Sequence, residues 1–272
     1  MQIITHRIQY KTGETFQLRP LFDVHLGNKA CDVKATKKYL KEGGNNTLYI
    51  VGGDLFDAVI IGDKRYSKAI DDTEGEGILN EQVERGIALL ELVKNRLIGI
   101  GMGNHEEAVL KRCGFNMGQA LADRLDVPYL GYSGLVRLYF YQTDKRGSRS
   151  QVRKCIIRWH HGWGGGTRTQ GGSITKYSKD TAYWDADLFL YGHDHRLQTD
   201  DVPRMVAVGD KLVANPKRIC LCGSYLKTYI IGKTTTYSER AGYPPISIGG
   251  MTINLTPHTS RGIVRIAPQL GG

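Results

Sequence analysis

Short apolar runs that end in glycine or in a polar side chain recur along the chain, and amphipathic stretches separate several of them. Leu48–Val51 has the β-branched and aromatic composition of a buried strand, and Gly52 and Gly53 permit a sharp turn directly after it. We predict strands over residues 2–10, 15–22, 48–51, 97–101, 135–142, 152–159 and 188–191. Strands that alternate with helices indicate an α/β fold with parallel strands.

Helices are predicted between several of these strands. Asp32 can cap a helix that runs to Leu40 and stops before Gly43 and Gly44. Apolar residues at helical spacing favour further helices over 78–93, 106–111 and 116–126.

The remaining segments are predicted as turns, loops and C-terminal strands. A turn at Thr12 and Gly13 joins the first two strands, and Pro20 places the second at a sheet edge or gives it an irregular start. Loops are predicted over 143–150, 163–172 and 237–245, and strands over 202–208, 211–213, 219–223, 246–255 and 262–266. The chain contains no repeat, low-complexity tract or linker, so we expect one domain over 1–272.

Charge and cysteine usage narrow the class of protein. The 37 Lys and Arg residues against 27 Asp and Glu residues give a net charge of +10, which favours polyanionic partners such as DNA or RNA. The five cysteines are odd in number and form no CxxC motif, which favours reduced thiols in a cytoplasmic protein. The N-terminus has no signal-peptide pattern and no apolar run has the length of a membrane helix, so we expect a soluble protein without a membrane partner.

Polar side chains that can bind metal ions follow the predicted strands. In chain order they are Asp23 and His25, Asp54, Asn104 and His105, His161, and His193 and His195. The carboxyl ends of strands in an α/β sheet are where ligands bind. Residues spaced by one on extended chain, as in the Asp23 and His25 pair, point to the same side and can bind one ion.

Each of these motifs by itself has a structural alternative. Asp54 can be a turn aspartate, Asn104 can be a helix N-cap, and His160 competes with His161 for one position. The motifs taken together, in this order, indicate a metal site more strongly than any one of them does.

Taken in order, the motifs DxH, GD, GNHE, HG and GHxH resemble those of the calcineurin-like metallophosphoesterase superfamily, from Asp23 to His195. The resemblance implies a four-layer α/β/β/α sandwich with two metal ions at the strand ends. It also implies that Asp23, His25 and His195 bind one ion, that Asn104, His161 and His193 bind the other, and that Asp54 bridges them.

The chemistry of such a centre is hydrolysis of phosphate esters. Two divalent ions about 3.5–4 Å apart convert a bridging water to hydroxide for in-line attack and neutralise the phosphate oxygens. Nitrogen and oxygen ligands without sulfur leave the metal open; we expect Mn²⁺, with Fe, Zn²⁺, Ni²⁺ and Mg²⁺ as alternatives. His105 is expected to protonate the leaving oxygen or stabilise the transition state, with Glu106 or another acid orienting it.

Neighbouring residues bear on the substrate. Serine/threonine protein phosphatases have an Asp-Arg pair where this chain has Asp57 and Ala58, whereas GGDLFD is similar to double-strand-break repair nucleases. The stretches 223–227 and 237–244 are similar to phage members. We therefore expect a phosphodiesterase acting on DNA or RNA, as a monomer or small homo-oligomer. The alternatives are hydrolysis of a small nucleotide, cyclic nucleotide or phosphomonoester, and a non-catalytic binding scaffold.

Basic residues near the motifs are expected to hold a polyanionic substrate. They are Lys64, Arg65, Arg168, Lys176 and Arg196.

Overall fold

The structure is a computed structural model that describes residues 1–63, 65–73, 77–143, 149–232, 235–258 and 262–271. Lys64, one of the basic residues named above, and most of the predicted loop 143–150 lie outside the described residues.

Within that part of the chain, strands and helices alternate as the apolar runs predict. The strands are β1 (Gln2–Gln9), β2 (Phe16–Leu21), β3 (Thr47–Gly52), β4 (Leu97–Gly101), β5 (Tyr129–Gly131), β6 (Ser133–Thr143), β7 (Arg149–His160), β8 (Leu188–Tyr191), β9 (Leu197–Val202), β10 (Met205–Val208), β11 (Lys211–Ala214), β12 (Lys217–Cys222), β13 (Met251–Pro257) and β14 (Val264–Leu270). The helices are α1 (Val33–Lys41), α2 (Ile78–Leu90), α3 (Asn104–Cys113), α4 (Met117–Leu125), α5 (Gly172–Ser178) and α6 (Tyr237–Arg240), with 3₁₀ turns at Glu91–Arg96 and Lys179–Ala182.

The strands form two six-stranded mixed sheets and one separate hairpin. The first sheet has the order β14-β13-β2-β3-β4-β5 and the second the order β1-β6-β7-β8-β12-β9, while β10 pairs only with β11. In the first sheet β2 to β5 are parallel, and in the second β7, β8 and β12 are parallel. The carboxyl ends of each parallel set therefore lie at one edge of its sheet.

The two sheets pack face to face and helices cover their outer faces. Phe22 and Ile50 of the first sheet share a buried cluster with Trp159 and Leu190 of the second. Leu40 of α1, Val83 of α2 and Leu121 of α4 are buried against the outer face of the first sheet. Tyr177 of α5 is buried with Phe189 and Tyr191 on the outer face of the second. The predicted α/β fold with four layers, α/β/β/α, is confirmed; one domain over 1–272 stays a prediction.

The predicted turn at Thr12 and Gly13 joins β1 to β2, and these strands lie in two different sheets, since β1 pairs with β6 and β2 with β3. The edge position suggested by Pro20 needs correction. The second strand is internal, because β2 lies between β13 and β3. Pro20 is tolerated there because the pairing of β2 with β13 ends at Leu18, so the missing N–H leaves no gap in that ladder.

Other element boundaries also differ from the predictions. The predicted strand 202–208 is divided between β9 and β10 at Pro203, which cannot donate to a ladder. The predicted loop 237–245 contains α6, and α5 and β5 were not predicted. β13 and β14 extend further towards the C-terminus than predicted. They are antiparallel, and their pairing runs from Met251 opposite Leu270 to Pro257 opposite Val264.

Three of the five cysteines, Cys155, Cys220 and Cys222, are small side chains of the core, whereas Cys31 is half-buried and Cys113 is exposed. All five are free, and Cys220 and Cys222 are both buried between the sheets, as their alternation on one strand predicts. Across the described residues, every helix is too short or too polar to cross a bilayer.

Candidate metal centre

The predicted ligands meet where the parallel strands of both sheets end. Asp23 follows β2, Asp54 follows β3 and Asn104 begins α3 after β4, while His161 and His193 follow β7 and β8. The backbone continues to pair beyond the strands, with the N–H groups of Val24 and His25 donating to the carbonyl of Asp54 at 2.8 and 3.0 Å. These backbone bonds tie the loop after β2 to the loop after β3 and thereby fix the side chains of Asp23, His25 and Asp54 relative to one another.

Most of these residues adopt a backbone conformation that ordinary side chains avoid. Asp23, His25, Asp54, His193 and His195 have φ between 48° and 69°. Such residues cost about 1–3 kcal/mol each and concentrate at functional sites. Gly53 is required next to them, because it has a φ of 100° and a Cβ there would lie 2.4 Å from the backbone nitrogen of Gly103.

One group of ligands consists of Asp23, His25 and His195. Their candidate ligand atoms all lie within 4.8 Å of one another. Nε2 of His195 is 3.2 Å from Nε2 of His25 and 3.5 Å from Oδ1 of Asp23. Oδ1 of Asp23 is buried without a hydrogen-bond partner among the described residues. An unpartnered buried carboxylate oxygen beside two imidazole nitrogens fits a bound cation.

A second group consists of Asn104, His161 and His193. Oδ1 of Asn104 lies 3.0 Å from Nε2 of His161 and 2.8 Å from Nδ1 of His193. The alternative interpretation of Asn104 is wrong, since the N-cap of α3 is Gly103. Nδ1 of His161 donates a hydrogen bond of 3.1 Å to the backbone carbonyl of Gly52, so that Nε2 of that ring is directed towards a metal.

Asp54 lies between the two groups. Its Oδ2 is 3.2 Å from Nε2 of His161 and 4.0 Å from Nε2 of His25. Its Oδ1 accepts a hydrogen bond of 2.9 Å from the backbone N–H of His105. A carboxylate in this position fits the bridging role that the family resemblance implies.

Electrostatics also favour a cation here. Burial raises the pKa of Asp23 to about 7, and Asp54 adds to the rise. Burial acts against the charge of Asp54 as well, but His161 and His105 hold the pKa of Asp54 well below its usual value. Burial alone would lower the pKa of His161, whereas Asp54 and Asp23 together raise it to about 9. The buried carboxylates thus need positive partners, which divalent ions would supply.

His105 lies beside the two groups, with Nε2 4.0 Å from Oδ2 of Asp54. Its Nδ1 contacts the backbone carbonyl of Asp57, and its Nε2 lies 2.9 Å from Nη1 of Arg65. A carbonyl only accepts and a guanidinium only donates, so the ring is neutral with its proton on Nδ1. The Asp57 carbonyl therefore orients His105.

The carboxylate of Glu106 does not hydrogen-bond to the ring of His105 and therefore does not orient it, contrary to one of the sequence-based alternatives. Its buried carboxylate accepts backbone hydrogen bonds of 3.0, 3.0 and 2.8 Å from Asp54, Phe56 and Gly103. It therefore fastens the start of α3 to the loop after β3, which fixes Asp54 relative to Asn104.

Arg65 contacts His105, and no sequence motif indicated this contact. Its backbone N, Nε and Nη2 donate to Asp63 at 2.9, 3.0 and 2.9 Å. Arg112 of α3 also donates to Asp63, at 2.6 Å. These bonds hold the guanidinium against His105, in a loop position well after the Asp57 and Ala58 pair.

The rival position His160 lies outside the cluster. Its Nδ1 accepts a hydrogen bond of 2.9 Å from the backbone N–H of Gly162, and its ring packs against Tyr132 and Trp163. Burial and the charge of Arg158 lower the pKa of His160 to about 3. The structure thus brings His161, and not its neighbour, to the ligand groups.

A cavity of about 340 Å³ opens directly over the ligands, lined by His25, Asp54, Asn104, His105, His193 and His195. Arg65 and Arg196 also line it. Arg168 instead donates to the carbonyl of Ala241 at 2.9 Å. Lys176 pairs with Asp194 at 2.6 Å. Of the basic residues expected to hold a polyanion, the structure places Arg65 in contact with a site residue.

No protein-family model and no curated protein matches the sequence. Solved structures similar to the chain include Vps29 of Entamoeba histolytica complexed with Zn²⁺, at 13% identity over 94% of this chain and 99% of that chain, with a TM-score of 0.39. The NAD nucleotidase of Haemophilus influenzae is 14% identical over 96% of this chain, with a TM-score of 0.38, and the match spans 51% of that protein. A predicted phosphoesterase of Streptococcus pneumoniae is 12% identical over 89% of this chain and 83% of that chain, with a TM-score of 0.30.

These identities and TM-scores are low, so the assignment of the fold and of the site rests on the chain's own residues. The order of the motifs, the two face-to-face mixed sheets with outer helices, and the meeting of Asp23, Asp54 and His161 at the strand ends agree with one another. The protein has the α/β/β/α architecture that the resemblance to calcineurin-like metallophosphoesterases implies, with a cluster of His and Asp side chains suited to metal binding.

Proposed function

We propose that this protein is a metal-dependent phosphodiesterase that cleaves the phosphodiester bonds of DNA or RNA. The observation that carries the proposal is the position of Asp54 between the group of Asp23, His25 and His195 and the group of Asn104, His161 and His193. Two divalent ions in these groups would supply an activated water and neutralise phosphate charge. Mn²⁺ is the metal we propose, with Fe, Zn²⁺, Ni²⁺ and Mg²⁺ as alternatives.

The chain's own residues have separate tasks in this proposal. Asp54 fixes the spacing of the two ligand groups, and Glu106 fixes Asp54 through the backbone. Arg65 contacts a phosphate oxygen, for which a guanidinium held by a carboxylate is well suited. His105 protonates the leaving oxygen from Nε2 while Nδ1 keeps its hydrogen bond to Asp57.

This assignment requires Arg65 to leave Nε2 of His105 when substrate binds. A guanidinium cannot accept a proton, so the ring can carry one on Nε2 only after the contact of 2.9 Å is broken. The negative charge of a bound phosphate favours that movement. We therefore propose that substrate binding releases His105 for proton transfer.

Nucleic acid is the proposed substrate because the net charge of +10 attracts polyanions. A small nucleotide or phosphomonoester is the second candidate. The cavity of about 340 Å³ favours it, because that volume suits a small molecule. A cytoplasmic location, a phage origin and a monomer or small homo-oligomer remain part of the proposal.

A metal-by-substrate comparison tests the proposed function. Chelated protein is supplied with Mn²⁺, Mg²⁺, Ni²⁺ or Zn²⁺ and assayed on a phosphodiester, a phosphomonoester, a cyclic nucleotide and labelled DNA and RNA. Metal-dependent cleavage of the diester and an oligonucleotide supports the proposal. Cleavage of the small substrates alone supports the second candidate, and no hydrolysis with any metal supports a binding scaffold.

A further inference from the structure

The cavity over the metal centre has a second part built from tyrosines. Tyr66, Tyr237 and Tyr243 line the same cavity as Asn104 and His105. Tyr237 is 58% exposed although it belongs to a cavity wall. Other tyrosines of the protein have aromatic partners, such as Tyr177, which stacks on Tyr191 at 4.3 Å. Within the described residues, the three cavity tyrosines pack on no other aromatic ring.

The backbone around Tyr237 and Tyr243 is held firmly. The side chain of Thr236 caps α6 through the backbone N–H of Glu239 at 3.0 Å and donates to the carbonyl of Thr228. The hydroxyl of Tyr229 donates to the carbonyl of Tyr243 at 2.8 Å. These bonds use backbone groups of the wall and not its aromatic rings.

Arg168 connects this wall to the glycine-rich loop that also lines the cavity. It follows Gly164–Gly166, which line the cavity, and donates to the carbonyl of Ala241 at 2.9 Å. Its guanidinium carbon lies 5.9 Å from the centre of the Tyr243 ring. Arg168 thus ties the tyrosine wall to a loop that lines the cavity over the metal centre.

We propose that Tyr237 and Tyr243 form a stacking site for the nucleobase of the substrate. The base of one nucleoside phosphate unit would then bind beside the metal centre. This rests on the proposed phosphodiesterase function and adds the chemical class of the group next to the scissile phosphate. Exposed aromatic side chains bind bases of any sequence through their faces. Thr228 and Ser238, which carry hydroxyl groups, line the same cavity.

A pair of substrates with the same leaving group tests the stacking site. Thymidine 5′-(p-nitrophenyl phosphate) and methyl p-nitrophenyl phosphate both release p-nitrophenol, and only the first carries a nucleoside. Tyr237→Ala and Tyr243→Ala are expected to raise KM for the thymidine ester roughly tenfold or more, as loss of a stacked base predicts. Their kcat, and both constants for the methyl ester, should stay at the wild-type values.

Three controls separate stacking from general disturbance. Tyr237→Phe and Tyr243→Phe keep the ring and should retain the wild-type KM. Tyr183→Ala removes a tyrosine that is 81% exposed and outside the cavity, and should change nothing. The inference is overturned if the alanine variants affect both esters equally, or affect neither, or if the phenylalanine variants lose as much as the alanine variants.

A binding measurement keeps this test independent of catalysis. Equilibrium dialysis of chelated protein should show that thymidine monophosphate binds more tightly than inorganic phosphate, and that Tyr243→Ala removes the difference. Equal binding of the two ligands to wild-type protein overturns the stacking site. Absence of ester hydrolysis with every metal, beside a retained preference for the nucleotide, would reject the proposed function and leave the binding site standing.

Discussion

Nη1 of Arg65 lies 2.9 Å from Nε2 of His105, and both residues line the cavity over the metal centre. The guanidinium is held there by Asp63, which also accepts a hydrogen bond from Arg112. A permanent positive charge thus stands where the proposed proton donor would meet a leaving oxygen. Its expected role is to contact the phosphate.

Arg65→Gln should lower kcat/KM for a phosphodiester by roughly 10- to 150-fold, since a hydrogen bond to a charged group contributes about 1.5–3 kcal/mol. Arg65→Lys should recover only part of the loss, because lysine lacks the planar pair of donors. Steady-state kinetics with saturating metal measure both. Arg112→Gln is the matched control, and it should have a smaller effect because Arg65 keeps its own bonds to Asp63. An Arg65→Gln enzyme with wild-type kcat/KM would contradict the role.

His105→Ala should retain bound metal and lose about 10²–10⁴-fold in rate, the range for a positioned general acid. His193→Ala and His195→Ala should lose metal as well, because each removes a ligand from one of the two groups. Elemental analysis of the purified variants, together with rates, distinguishes the two outcomes. His258→Ala, after β13, serves as a control for histidine removal. Loss of metal from His105→Ala would make that histidine a ligand.

Asp54→Asn should abolish metal-dependent hydrolysis, because it removes the charge shared by the two ligand groups. Asp126→Asn is a suitable control, since Asp126 has a similar φ of 53° but caps α4. Both variants should stay folded by circular dichroism, and only the first should lose activity and metal. Wild-type rates for Asp54→Asn would reject the bridging role.

Gly53→Ala should destabilise the fold, because its Cβ would lie 2.4 Å from a backbone nitrogen and its φ is 100°. We expect the free energy of unfolding to fall by about 1–3 kcal/mol, measured by urea denaturation. Gly44→Ala, where a Cβ meets nothing within 4 Å, should change stability much less. Equal effects of the two substitutions would show that the turn after β3 tolerates a side chain.

Salt should weaken cleavage of a polymer more than cleavage of a small ester if the charge of +10 serves to bind nucleic acid. The salt dependence of kcat/KM is measured on a labelled oligonucleotide and on bis(p-nitrophenyl) phosphate in parallel. A steeper slope for the oligonucleotide supports the proposed substrate. Equal slopes would favour the small-nucleotide alternative.

Local sequence patterns were enough to predict the strands whose residues are buried on both faces and the ligands that follow them. Leu188–Tyr191 and Leu97–Gly101 are apolar throughout, which identifies a central strand without any knowledge of its neighbours. Because the motifs directly follow such strands, the positions of Asp54 and His193 could also be predicted. The helix α1 was predictable because Asp32 caps it through a local hydrogen bond to Ala35.

Contacts between distant segments could not be predicted from local patterns. Strand pairing is non-local, so the sequence could not show that β1 pairs with β6 while β2 enters the other sheet. The same holds for Arg65, whose role in the site depends on its contact with His105, a residue distant in sequence. It also holds for Tyr237 and Tyr243, which line the same cavity as the ligands although they follow β12, far along the chain from the loops after β3 and β7. Local patterns determine which groups stand at strand ends, whereas packing determines which distant loops complete the cavity around them.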